Sequence, residues 1–428
     1  MIFALDFVHH QYQKEKIMLF NLFITLFACN INPNEPEECI DSSRQSNIEA
    51  EIIEVSNSDL PFAISLHNEV LTTSKEKSAN LVHSPYSISS ALGMLHLGSV
   101  DDTKLELESG LGIEDEDIWH SSKGLIVQEL HQPERCDYQL AIANRLFGQH
   151  DMEFQTEFLE DTESIYGAPL QEVDFKTNPE GSREVINDWV SEQTMEKIPE
   201  LLKEGIITPL TRLVLTNAIY LNAPWKQAFD PSDTFDMDFT TEDGSLVQVP
   251  TMYQSEMNTK RYDDDLVSVA NIPYEGDELS ISIYLPQEGV SLSDLENALT
   301  DEYLLNIRNG QYSTSSNVSL PKFEIRSPIP LNEPLKNIGM EAMFNGGLEN
   351  IAVEPELPLV VTAVVHEAWI KVEEKGTEAA AATAVVIGFA ESVPEFDIFT
   401  VDRAFLFTIQ DDITGSLLFM GRVGNPIE

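Results

Sequence analysis

The chain has 428 residues, with 25 Lys+Arg against 73 Asp+Glu, a formal net charge of −48 and an apolar share of 42%. That apolar share supports a sizeable core and excludes wholesale disorder. So negative a chain lacks the Lys and Arg needed to neutralise phosphate backbones, which excludes nucleic acid as a partner.

In chain order, residues 17–28 (IMLFNLFITLFA) form a 12-residue apolar run behind Lys14 and Lys16. The run is short for a membrane span and suits the core of a secretory signal. Ala28 supplies a small residue for cleavage. Leu26-Phe27-Ala28-Cys29 resembles a lipoprotein box, through which Cys29 would carry a lipid anchor. Residues 1–28 are therefore expected to be a signal peptide or lipoprotein leader, and the protein to be secreted, with or without a membrane anchor. Residues 29–58 are polar and acidic, with Pro33 and Pro36, and read as a flexible linker. Cys39 and Cys136 are left open between one bridge and two free thiols, and no C-x-x-C pair offers a thiolate zinc site.

Residues 59–428 show no repeat and no composition break, so they are expected to form one domain. Apolar residues at helical spacing (Phe62, Ile64, Leu66, Val70, Leu71) follow Ser58 and Asp59, which are candidate N-caps. Ser84-Pro85 opens a second helix that ends near Gly98, and a third is expected within 182–202. Residues 139–147 alternate like a strand, and 213–221 (LVLTNAIYL) read as a strand buried on both faces. Further strands are expected at 280–286, 317–325, 368–374, 405–409 and 416–423. Helices dominate early and strands late, which indicates an α+β fold.

No constellation for catalysis is present. There is no G-x-S-x-G elbow, Walker loop or complete G-x-G-x-x-G, and His366-Glu367 fails as H-E-x-x-H because Ile370 stands at the second His. Clusters such as Asp263-Asp264-Asp265 lack EF-hand spacing and read as solvated surface. No catalytic residue, metal site or cofactor is expected.

Residues 373–387 (EEKGTEAAAATAVVI) carry small side chains between a glycine and strand-prone Val and Ile. As a strand, one face holds Thr377, Ala379, Ala381, Thr383 and Val385, and the other holds Glu378, Ala380, Ala382 and Ala384. This segment resembles the reactive-loop hinge of inhibitory serpins. The resemblance extends over about residues 60–424 in ordered blocks: NLVHSPYSISSALGMLHLGS (80–99), NDWVSEQTMEKIPELL (187–202), TNAIYLNAPWKQAF (216–229), VSLPKFEI (318–325), FTVDRAFLFTI (399–409) and SLLFMGRVGNP (416–426).

The resemblance implies three β-sheets, about nine helices and an exposed reactive-centre loop at about 374–398. It implies suicide inhibition of serine proteases: the loop is cleaved, an acyl-enzyme forms, and the hinge (Glu374, Gly376, Thr377, Glu378, Ala379, Ala380, Ala381, Ala382, Thr383) inserts into the large sheet. About a dozen inserted residues at roughly 0.5–1.5 kcal/mol each would release on the order of 10 kcal/mol, so the uncleaved form would be kinetically held. The family's loop spacing puts the reactive bond at Ala390-Glu391, with Phe389 as the alternative bait. Ala390 suits an elastase-like or subtilisin-like target and Phe389 a chymotrypsin-like one. Ser84, Ser87, Asn217 and His366 match the family's shutter beneath the sheet, and Trp225 the aromatic residue where insertion begins. Ala404 departs from the usual Pro.

Residues 114–130 hold only Lys123 among basic residues, so heparin is not expected as a cofactor. The expected partner is a target serine protease in covalent complex with a monomer. A non-inhibitory serpin acting as carrier or chaperone, and a cross-class inhibitor of papain-like cysteine proteases, remain as alternatives.

Overall fold

In a computed structural model of the chain, the described residues are 50–73, 80–130, 137–353, 358–377 and 397–428. All three cysteines lie outside them, as do the leader and most of the expected linker. The helices are α1 (Ala50–Ser58), α2 (Leu60–Thr73), α3 (Pro85–Leu97), α4 (Asp101–Leu111), α5 (Glu116–Leu130), α6 (Thr156–Tyr166), α7 (Pro179–Gln193), α8 (Leu292–Ala298), α9 (Asp301–Gly310) and α10 (Asn332–Asn337). The strands are β1 (Asn80–His83), β2 (Gln139–Gln149), β3 (Gln171–Val173), β4 (Leu213–Pro224), β5 (Phe235–Thr240), β6 (Leu246–Asp263), β7 (Val267–Pro273), β8 (Leu279–Pro286), β9 (Tyr312–Pro321), β10 (Phe323–Pro330), β11 (Ala363–Glu373), β12 (Gly376–Thr377), β13 (Asp397–Thr400), β14 (Phe405–Asp411) and β15 (Leu417–Val423). The α+β class is as the pattern of residues indicates.

Hydrogen bonding joins these strands into a six-stranded sheet, β10-β11-β12-β4-β2-β3, and a nine-stranded one, β1-β15-β14-β8-β7-β6-β9-β13 with β5 on β6. The larger ladder fuses two strand sets. Residues 246–251 of β6 pair with β5 and residues 260–263 with β7, either side of a register slip at Gln254/Met257. Such an irregularity bends a strand, and the three expected sheets appear here as two ladders, the larger of which joins two strand sets through β6 and β9. Apolar residues of both ladders meet in one core that includes Ile219, Leu221, Ile281, Ile283, Ile370, Val372, Phe405 and Phe407. Leu213–Leu221 of β4 is buried throughout, in keeping with its unbroken apolar run.

Two local expectations are corrected, the linker bound and the strand at 317–325. The ordered domain starts inside the segment read as linker, because α1 buries Ile52 and Val55 and ties Ser56 Oγ to Ser416 Oγ at 2.8 Å. The helix expected within 182–202 is α7, which holds Val185, Ile186, Trp189 and Val190 and stops at Gln193. Met195 and Glu196 take φ of 51° and 61°, and Pro199 cannot continue a helix. Ile198, Leu201 and Leu202 keep helical spacing but enter the core from a turn, beside Ile186 and Val190. Residues 317–325 form two strands rather than one, parted at Lys322, whose N–H donates to the Pro250 carbonyl at 2.9 Å.

Candidate functional site

The middle of the six-stranded sheet is a seam. Ala363–Ala368 of β11 run parallel to Val214–Ile219 of β4 in direct register. Farther along, these strands part and the two residues of β12 lie between them, antiparallel to both: Thr377 faces Val372 and Ala223, and Gly376 faces Glu373 and Pro224.

Glycine is required at 376. Its φ is +153°, and an added Cβ would run into the Ala223 carbonyl and come within 2.6 Å of Pro224 Cα. Thr377 is fully buried, and its hydroxyl lies 2.6 Å from the Tyr274 hydroxyl. Burial raises the Tyr274 pKa above the ordinary phenol value, so that ring keeps its proton. Tyr274 stacks on Trp225, with centroids 4.6 Å apart and planes 6° apart. Trp225 in turn donates from Nε1 to the Glu373 carbonyl at 2.9 Å and from its backbone N–H to the Lys375 carbonyl at 2.9 Å.

The turn that delivers β12 is held by charge. Glu374 accepts from Lys322 Nζ at 2.8 Å and from Thr234 Oγ1 at 2.9 Å, and Glu373 pairs with Lys371 at 2.9 Å. Burial pushes the Glu374 pKa up, but the Lys322 and Thr234 hydrogen bonds outweigh it and hold the carboxyl below its usual range.

Beneath the seam lies a buried polar cluster. Asn144, Asn217 and His366 stand side by side on β2, β4 and β11. His366 Nε2 accepts the Ser84 backbone N–H at 3.1 Å, which leaves Nδ1 to donate to Asn217 Oδ1. Asn217 Nδ2 donates to Ser87 Oγ at 2.7 Å and Asn144 Oδ1 at 2.6 Å. Ser84 Oγ caps α3 by accepting the Ser87 N–H at 3.1 Å. Separating β4 from β11 therefore breaks the Asn217–His366 bond. Burial pushes the His366 pKa down to about 3, so the ring is neutral in the closed sheet.

The structure thus brings Ser84, Ser87, Asn217 and His366 into one cluster, and Glu374, Gly376, Thr377 and Trp225 into another. Glu378, Ala379, Ala380, Ala381, Ala382, Thr383, Phe389, Ala390 and Glu391 lie outside the described residues. The chain resumes at β13, parallel to Ser316–Ser319 of β9. Sequence reasoning missed Asn144, Tyr274 and Lys322. Asn144 carried a signal, being an amide that follows the apolar run Leu140–Ala143 inside a strand. Ala404 uses what a proline lacks: its N–H donates to the Thr240 carbonyl at 3.1 Å. Lys123, the lone basic residue of α5, is buried against Asp59.

Two outcomes follow from this geometry. A Gly376→Ala substitution should loosen the β12 pairing by about 1–3 kcal/mol, read as faster amide exchange in a peptide spanning 372–377. For pH, a base whose pKa is depressed in the fold contributes stability that is complete above its free value of 6.5 and is lost as pH falls toward about 3. Urea midpoints should therefore fall below pH 6.5, and His366→Gln should flatten that slope by about 1.4 kcal/mol per pH unit. An unchanged slope would contradict the assignment.

Residues 57–426 match the family described as Serpin (serine protease inhibitor). The leukocyte elastase inhibitor of Bos taurus is 36% identical over 382 residues, covering 87% of this chain and all of that one. Among solved structures, human thyroxine-binding globulin complexed with thyroxine superposes with a TM-score of 0.79 at 28% identity, covering 89% of this chain and 100% of that one. Serpin48 of the insect Tenebrio molitor does so with a TM-score of 0.75 at 30% identity, covering 89% and 99%. With the family match over residues 57–426 and a relative 36% identical along its whole length, this protein belongs to the serpin family.

Proposed function

We propose that this serpin is a single-use trap for serine proteases. The observation that carries the reading is β12: the first hinge residues already lie in ladder position between β4 and β11, with the following small residues next in line. The protease serine attacks the carbonyl of Ala390, the peptide nitrogen of Glu391 leaves with a proton, and an ester links Ala390 to the enzyme. The freed hinge then extends β12 down the seam and carries the bound protease with it.

The bait sets the target. Ala390 suits a small specificity pocket of elastase-like or subtilisin-like type, and Phe389 would select a chymotrypsin-like one. No Lys or Arg stands between Gly376 and Arg403, which disfavours trypsin-like targets. Burial of Lys123, together with the charge of −48, disfavours a polyanionic cofactor. The apolar run 17–28 behind Lys14 and Lys16 supports export, with Cys29 as the residue that would be lipidated. The inhibitor acts as a monomer, since one chain supplies both the loop and the seam that receives it.

Mixing the full chain with pancreatic elastase, subtilisin and chymotrypsin tests this on a denaturing gel with intact mass. A covalent complex and a released peptide starting at Glu391 are expected, and a peptide starting at Ala390 would move the bait to Phe389. Cleavage without complex, across a broad protease panel, would favour the carrier reading. Thr377→Arg places a charge where a fully buried hydroxyl sits and should convert the inhibitor to a substrate cut at the same bond. A variant that still traps protease as well as the parent would refute insertion through this face.

A further inference from the structure

A second cluster, on the helices rather than the sheets, is unrelated to the hinge. His96 in the last turn of α3, Glu108 on α4 and Glu116 at the start of α5 converge, with one ligand atom of each within 4.8 Å of the others. His96 is 2% exposed, and its Nε2 has no hydrogen-bond partner. A buried ring nitrogen left without a partner is costly unless something else occupies the space before it. What faces it is Glu108 Oε1, 3.5 Å away and beyond ordinary hydrogen-bond range. Two donors on one tetrahedral zinc ion, each at about 2.0–2.1 Å, stand roughly 3.3 Å apart. The observed separation is close to that.

The far side of the imidazole is built as ligating histidines usually are. His96 Nδ1 lies 2.9 Å from His120 Nε2, and His120 Nδ1 lies 2.6 Å from the Tyr166 hydroxyl. With His96 Nδ1 as donor, its Nε2 lone pair points at the two carboxylates, and His120 and Tyr166 hold the ring in that orientation. A cation already sits at the edge of the cluster: Lys104 Nζ is 2.6 Å from Glu116 Oε2. Its side chain is 35% exposed, so it can swing into water when a stronger cation enters.

We propose that His96, Glu108 and Glu116 form a binding site for one zinc-like divalent transition-metal ion, with water completing its coordination and Lys104 occupying the cluster in its absence. One nitrogen and two carboxylate ligands match zinc better than calcium or magnesium, which prefer all-oxygen shells. A bound ion would tie together α3, α4 and α5. No short-range spacing announces it, because each ligand comes from a different helix.

The test is zinc binding to the full chain, in competition with a chromophoric chelator, with cobalt(II) absorption as a probe of geometry. One zinc per chain is expected at this site, weakened about tenfold or more by Glu108→Gln or Glu116→Gln, changes of the size seen when a metal's surroundings are disturbed. Both glutamates are partly exposed, so these near-isosteric variants should fold as the parent does. Lys104→Met, which removes the competing cation, should tighten binding several-fold. Zinc binding that survives the double glutamate variant unchanged would place the metal elsewhere, for instance on the histidines and cysteines near the N-terminus, and overturn the proposal. Failure of the wild-type chain to take up zinc would do the same.

Discussion

The hydrogen bond between Asn217 and His366 spans β4 and β11, the two parallel strands that part farther along to admit Gly376 and Thr377. Everything around it preserves that bond. Ser84 fixes the ring from the α3 side, Ser87 and Asn144 fix the amide, and burial keeps the imidazole uncharged. The seam is closed along Val214–Ile219 and open only at its end, where Gly376 and Thr377 fill the gap. A seam held by a backbone ladder and side-chain hydrogen bonds can open without breaking anything stronger than a hydrogen bond, which is what the proposed function would require of it.

Much of this was legible from residue order. The cap at Ser84, the both-face burial of β4, and the strand pairs near the C-terminus follow from local chemistry and hydrophobic pattern. What could not be read locally is pairing across long separations. Nothing near Tyr274 signals that its hydroxyl meets Thr377, which is 103 positions away, and Lys322 meets Glu374 across 52 positions. The end of α7 has a different cause: Ile198, Leu201 and Leu202 satisfy a helical period, yet the core accepts them from an irregular turn. Periodicity reports which residues are buried, and Pro199 decides how the backbone reaches them.

The acidic composition is spread unevenly in its consequences. The basic residues that remain are committed to specific partners, as Lys322 is to Glu374, Arg326 to Glu367, and Lys123 to Asp59. Among the described residues, these pairings take up cations that would otherwise be free to meet an anionic surface. Encounter with a cationic protease would accordingly be faster at low ionic strength, because exposed charges are screened beyond about 8–10 Å at physiological salt.

The direction of β12 has a thermodynamic corollary. It is antiparallel to both neighbours, whereas β4 and β11 are parallel to each other. On the proposed function, each residue added to it would exchange one parallel pairing for two antiparallel ones, the latter being slightly more stable per residue. The first two residues have already met the entropic penalty of starting a strand. In the proposed trap the remaining reaction would be elongation on a template whose two sides are in register, at a rate set by how quickly the seam unzips.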